Sequence, residues 1–164
     1  MSIIKNFIIL IIVSAFSLSA NSQEVKKIGK FKDWETMIIT EQTGKVCFAQ
    51  SVPVLQAPKS NLREARMFVS FRPGEKISNE ISITGGYEFN NKNSITAKSG
   101  KSKYKFDIAQ EGFAWIADNK LENKMIKTMK KGSRIMITGY NQKGSQTIDH
   151  YSLLLDQEKK LQMK

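Results

Sequence analysis

The 164-residue chain has one cysteine, Cys47, one histidine, His150, and three prolines. Among its 26 basic residues only Arg63, Arg66, Arg72 and Arg134 are arginines. Each shortage excludes something. A lone cysteine rules out an internal disulfide, so packing must hold the fold. One histidine and one cysteine cannot supply the ligand cluster of a zinc site, and neither metal nor cofactor is implied. No H-E-x-x-H, C-x-x-C, G-x-S-x-G or Walker loop is present. Scarce arginine argues against base readout and bidentate phosphate recognition, and so against specific nucleic-acid binding. No apolar run reaches the ~20 residues of a membrane span. The longest, Ile3 to Leu18, contains Lys5 and two serines.

What is present is a globular composition, 40% hydrophobic, with a formal charge of +11. The length suits one domain with a core of its own. Lys5 precedes the apolar run Phe7 to Phe16, and Ala20 and Ser22 place small residues where a signal peptidase reads. Residues 1–22 therefore read as a secretory signal peptide with Gln23 as the new N-terminus, and the expected location is the periplasm or the outer cell surface. Residues 23–155 read as one β domain and 156–164 as a polar tail.

Short alternating runs dominate that domain. Trp34 to Thr40 and Val46 to Val52 flank the turn Glu41-Gln42-Thr43-Gly44-Lys45 and predict a hairpin. Ser51 to Glu64, with Pro53 and Pro58, reads as a loop. Met67, Val69 and Phe71 alternate with Phe68, Ser70 and Arg72 up to the turn Pro73-Gly74. Ile81 and Ile83 share a strand face, and Ser94 to Lys98 and Lys103 to Ile108 make a second hairpin around Ser99-Gly100-Lys101. Phe113, Trp115 and Ala117 fall on one face of a further strand, Ala114 and Ile116 on the other. Ile135 and Ile137, then Thr147 to Leu153 beyond Asn141-Gln142-Lys143-Gly144, complete eight or nine strands.

One helix is expected over about 118–131. Asp118 can cap it, and Leu121, Met125, Ile126 and Met129 lie within about 140° of arc. Lys127, Lys130 and Lys131 suit its C-terminal dipole, and Gly132 ends it. The class is mainly β: an antiparallel sandwich or small barrel with one helix.

Gly85-Gly86 follows a strand, as in a phosphate-binding loop, but Tyr87-Glu88-Phe89 and a turn come next instead of a helix. The glycines therefore read as a bulge or bend that lets Tyr87 and Phe89 fold back on the sheet. Glu75 with Glu80 and Asp107 with Glu111 read as surface carboxylates. In Asp149-His150-Tyr151 the first and third residues share a strand face and the histidine faces away, so the triplet reads as structural. Cys47 reads as a small buried hydrophobe, with an intermolecular bridge or a catalytic thiol as the alternatives.

Lysines form the clearest surface feature. Lys120, Lys124, Lys127 and Lys131 fall within about 60° on the polar face of the helix and are the candidate binding residues. Lys26, Lys27, Lys30 and Lys32 cluster near the mature N-terminus, and Lys98, Lys101, Lys103 and Lys105 around a hairpin. Such stripes attract anionic surfaces, here an anionic envelope component or envelope protein, with peripheral membrane contact.

Several blocks carry a resemblance in order and spacing. They are Phe31-x-Asp33-Trp34, Val46-Cys47-Phe48, Arg72-Pro73-Gly74-Glu75-Lys76, Asn79-Glu80-Ile81-Ser82, Gly86-Tyr87-x-Phe89, Ala114-Trp115, Met129-Lys130-Lys131-Gly132-Ser133 and Asp149-x-Tyr151-Ser152-Leu153. Over Phe31 to Leu153 the chain resembles the invasion-associated locus B family of exported bacterial proteins. The resemblance implies a periplasmic or surface-associated β protein without catalytic residues to transfer. It also implies a cysteine, paired with the later one, at the position held here by Ile38, and a Gly-Phe where Leu155-Asp156 stands. The expected function is a non-enzymatic binding module at the cell envelope. The alternative is a small envelope enzyme acting on glycans or peptides, which would show converging carboxylates in a deep pocket, or Cys47 beside His150. An assembly partner or chaperone would instead expose an apolar patch or a sheet edge.

Overall fold

A computed structural model describes residues 25–41 and 44–153. The predicted signal peptide and the polar tail lie outside the described residues. Two antiparallel sheets face each other, so the fold is the sandwich and not the barrel. The first sheet has the strand order β1-β2-β3-β5-β6-β10-β9 and the second β4-β12-β11-β7-β8.

In the first sheet, β1 (Val25–Phe31), β2 (Trp34–Glu41) and β3 (Gly44–Ser51) form a meander, followed by β5 (Arg66–Arg72) and β6 (Ile77–Thr84). β10 (Phe113–Trp115) and β9 (Ile108–Gln110) close its far side. The second sheet holds β4 (Leu55–Ala57), β7 (Ile95–Ser99), β8 (Ser102–Phe106), β11 (Arg134–Tyr140) and β12 (Gln146–Ser152). Alternation explains which side each strand buries. Met67 pairs with Ile83, Val69 with Ile81 and Ile83 with Ala114, so these side chains meet on one face. They pack against Ile95, Ala97, Tyr104, Phe106, Ile135, Ile137 and Tyr151 from the second sheet.

Three of the twelve strands among the described residues differ from the sequence expectation. β4 lies inside the presumed loop Ser51 to Glu64, β9 is a short edge strand, and β1 runs through the first lysine cluster. β1 is exposed along most of its length and irregular at Lys27/Gly29. Lysines and a bulge on an edge strand hinder pairing with another chain.

The helix α1 (Asn119–Lys131) closes one side between β6 and β8. Asp118 Oδ1 accepts from Lys120 N at 2.8 Å, satisfying one of the free amides of its first turn. Met125 and Met129 are buried, and Leu121 and Ile126 pack against the core, as the spacing predicted. Gly132 ends the helix in an extended conformation rather than a left-handed one. A Cβ there would lie 2.8 Å from Ser99 Oγ, so the glycine serves a close approach to β7. Among the described residues no helix is long and apolar enough to cross a membrane.

Glu122 is the one buried charge of α1, 4% exposed. Ladder pairing between β6 and β10 stops at Ser82, and Glu122 Oε1 accepts the next free amide, Ile81 N, at 2.9 Å. Burial pushes its carboxyl above the usual glutamate range, against the pull of that hydrogen bond. A raised folded value means stability in place below the ordinary glutamate pKa, about 4.3, and lost as pH rises through the folded value. Glu122→Gln keeps the acceptor without the buried charge and is expected to be more stable than the parent at pH 7, with the gain vanishing in acid. Glu122→Ala strands Ile81 N and is expected to cost about 1–3 kcal/mol. Urea unfolding of both variants at two pH values checks this; a Gln variant less stable than the parent at pH 7 would contradict it.

Candidate functional site

The four predicted helix lysines lie together. Lys120, Lys124, Lys127 and Lys131 are all exposed, on the side of α1 opposite Met125 and Met129. None of the four is ion-paired among the described residues, so their charge is available to a partner. The other clusters are partly engaged or lie elsewhere. Lys27 is paired with Glu35, while Lys98 and Lys103 stand opposite each other on the outer face of β7 and β8.

Gly85-Gly86 positions a buried polar network, not a phosphate. A Cβ on Gly86, whose φ is +74°, would lie 2.7 Å from Glu64 N, so the bend lets two backbones touch. Tyr87 then folds back to bond Thr147 through its hydroxyl and to lie under the Arg63 guanidinium, 5.6 Å from its centroid. Arg63 binds Asp149 with both terminal nitrogens, at 2.7 and 3.0 Å, and donates to Gly85 O at 3.0 Å. Gln56 clamps the Arg63 backbone from both sides at 2.8 Å. Burial pushes the Asp149 carboxyl upward while Arg63 pulls it back, and burial also raises the hydroxyls of Tyr87 and Tyr151. Asp149 and Tyr151 share the inner face of β12, as alternation predicted, and the network is structural.

Cys47 departs from the expectation of a buried thiol: it is half-buried. By register it shares a face with Ile38 on β2 and Phe71 on β5, where the first sheet is incompletely covered and Phe71 remains 49% exposed. With Ile28, Thr36, Ala49 and Val69 it lines a shallow open depression. His150 is on β12 of the other sheet. The carboxylate pairs are also engaged or apart: Glu75 and Glu80 both bind Arg72, and Asp107 accepts from Ala117 N at 2.9 Å.

Sequence reasoning missed an outward-facing row of aromatic rings. Phe48 on β3, Phe68 on β5, and Phe113 and Trp115 on β10 stand on the face of the first sheet away from the core. Successive ring centroids are 6.2, 6.1 and 5.9 Å apart. Met37, the register partner of Phe48, and Ile108, the partner of Trp115, extend the row at its two ends. The signal was in the alternation: strands whose Met67, Val69 and Ala114 face the core carry aromatics on the other face as well.

These features define a small antiparallel β-sandwich protein with a capping helix, a basic helix face and an aromatic sheet face. Compared with protein-family models, curated proteins and solved structures, the chain finds no match in any of the three.

Proposed function

We propose that the protein is an exported, non-enzymatic binding module of the cell envelope, of the kind the resemblance to the invasion-associated locus B family implies. The observation that carries this reading is the lysine face of α1. Four ammonium groups, without an ion pair among the described residues, project from a helix whose other side is fixed in the core by Met125, Met129 and Glu122. A rigid row of like charges gains little inside the molecule and suits an anionic surface, where each lysine contributes about 1 kcal/mol.

Two further observations support the family reading. The blocks that carry the resemblance meet in space: Trp34 Nε1 donates to Ser152 O at 2.8 Å, and Tyr87 lies beside the Arg63–Asp149 pair. Ile38 stands directly opposite Cys47 across β2 and β3, the relation a cross-strand cysteine pair would have.

The test is retention on anionic phospholipid vesicles and on isolated envelope, at low and high salt, of the parent and of the variant with Lys120, Lys124, Lys127 and Lys131 all changed to Glu. Screening shortens from about 10 Å at 0.1 M salt to 3 Å at 1 M, so retention is expected to fall steeply. The variant is expected to lose binding by roughly a thousandfold at low salt. Retention indifferent to both salt and charge reversal would remove the helix from the binding surface.

A further inference from the structure

The outer face of the seven-stranded sheet carries its own binding chemistry. Its rings run across β3, β5 and β10, strands spaced about 4.8 Å apart from one hydrogen-bonded neighbour to the next, so the row is several neighbours long. Phe113 is 36% exposed, Phe48, Phe68 and Trp115 are partly exposed, and the second sheet packs on the opposite face. A solvent-facing aromatic run rimmed by polar groups marks a contact surface rather than ordinary scatter.

The surroundings of the rings narrow the occupant. Between and beside them stand Gln50, Ser70, Thr84 and Gln110, which by register share the same face. An apolar partner laid over this mixture would strand hydroxyls and amides, at the cost of unmade hydrogen bonds. A ligand with apolar C–H faces and hydroxyl edges satisfies both kinds of group. The C–H faces lie against the electron-rich ring faces, and the ligand hydroxyls reach the side-chain amides and hydroxyls.

Charge narrows it again. The chain is strongly basic, yet the two arginines beside this row, and Lys27 on β1, are held in ion pairs. Lys27 pairs with Glu35 at 2.5 Å, Arg72 with Glu80 at 2.6 Å and Arg66 with Glu64 at 3.0 Å. A polyanion would have to break these pairs or reach across to Lys30 on β1, whereas the helix lysines carry no ion pair among the described residues. A neutral ligand meets no such cost. Neighbouring rings are tilted by 55° and 45° along most of the row, with only Phe113 and Trp115 near parallel at 28°. That corrugated profile suits a single extended chain rather than a flat crystalline surface.

We propose that this face binds a neutral, extended oligosaccharide, its sugar rings stacked along Phe48, Phe68, Phe113 and Trp115. The site is independent of the helix lysines, and either can fail without the other. Trp115 supplies the readout. The chain has two tryptophans, and Trp34 is 7% exposed with its indole N–H bonded to Ser152 O. Acrylamide quenching therefore reports chiefly on Trp115.

The experiment titrates the protein with cellohexaose and chitohexaose, following quenching and heat of binding. Saturable protection of Trp115 is expected, unchanged between low and high salt and in the four-lysine variant. Phe68→Ala is expected to weaken it about tenfold, in line with the loss of one aromatic contact. Phe113→Ser, at the most exposed ring, gives the same reading should Phe68→Ala fold poorly. No saturable change with either sugar overturns the proposal, as does binding abolished by salt. Concentration-dependent protection of Trp115 without sugar, together with a dimer in sedimentation, would assign the face to self-association and overturn it equally.

Discussion

Replacing Arg63 by alanine is expected to cost about 3–5 kcal/mol, the usual penalty for leaving one partner of a buried ion pair behind. Arg63 and Asp149 side chains are 5% and 4% exposed, so water cannot take the place of either. The guanidinium also serves Gly85 O and the Tyr87 ring, which ties the Gly85-Gly86 bend to β12. A fall in Tm of roughly 10–20 °C follows for a domain of this size. Removing both charges, as in R63M/D149L, is expected to cost less than R63A alone, because no single charge stays buried. A double variant less stable than R63A would show that the carbonyl contacts of Arg63, not its pairing with Asp149, carry the effect.

The same pair has a pH signature. Burial already pushes the Asp149 carboxyl upward against the pull of Arg63, and without the arginine it rises further. With a raised folded value, the aspartate's contribution is intact below its ordinary pKa of about 3.9 and is lost as pH rises through the folded value. The deficit of R63A relative to the parent is therefore largest at neutral pH and narrows on acidification. His150, next to Asp149 in the chain, also pulls the Asp149 carboxyl down, after Arg63 in size. Equal deficits at pH 7 and pH 4.5 would contradict this account.

Strands with one buried face were legible in the sequence because their alternation records that burial. Met67 and Val69, Ile135 and Ile137, and Asp149 and Tyr151 face inward as their period of two requires. The helix was legible from Asp118 and the spacing of its apolar residues. β1 was not, since it is an edge strand exposed along most of its length and its lysines obey no buried period. β4 has three residues between two prolines and owes its form to pairing with β12. Arg63 and Asp149 are 86 residues apart, and only the crossing of the loop before β5 over the second sheet brings them together. The aromatic row was written in plain sight, but which face of β5 and β10 meets solvent depends on where the second sheet lies. Pairwise alternation gives two faces and does not say which is covered.

Gly86→Ala joins these observations in one substitution. Two costs add at this position: the left-handed backbone, about 1–2 kcal/mol for a residue with a Cβ, and a contact of 2.7 Å with the Glu64 amide nitrogen. A backbone atom cannot swing aside as a side-chain tip would, so the loop carrying Arg63 must move, at an overpacking cost of about 1–3 kcal/mol. The expected loss is between about 2 and 5 kcal/mol. Gly144→Ala is the matched control, since its φ of +82° carries the same strain but nothing lies within 4 Å of the new carbon. Equal losses in the two variants would mean that backbone strain alone explains the effect. A larger loss at Gly86, shrinking when R63A is already present, would show that the double glycine exists to bring Arg63 within reach of Asp149.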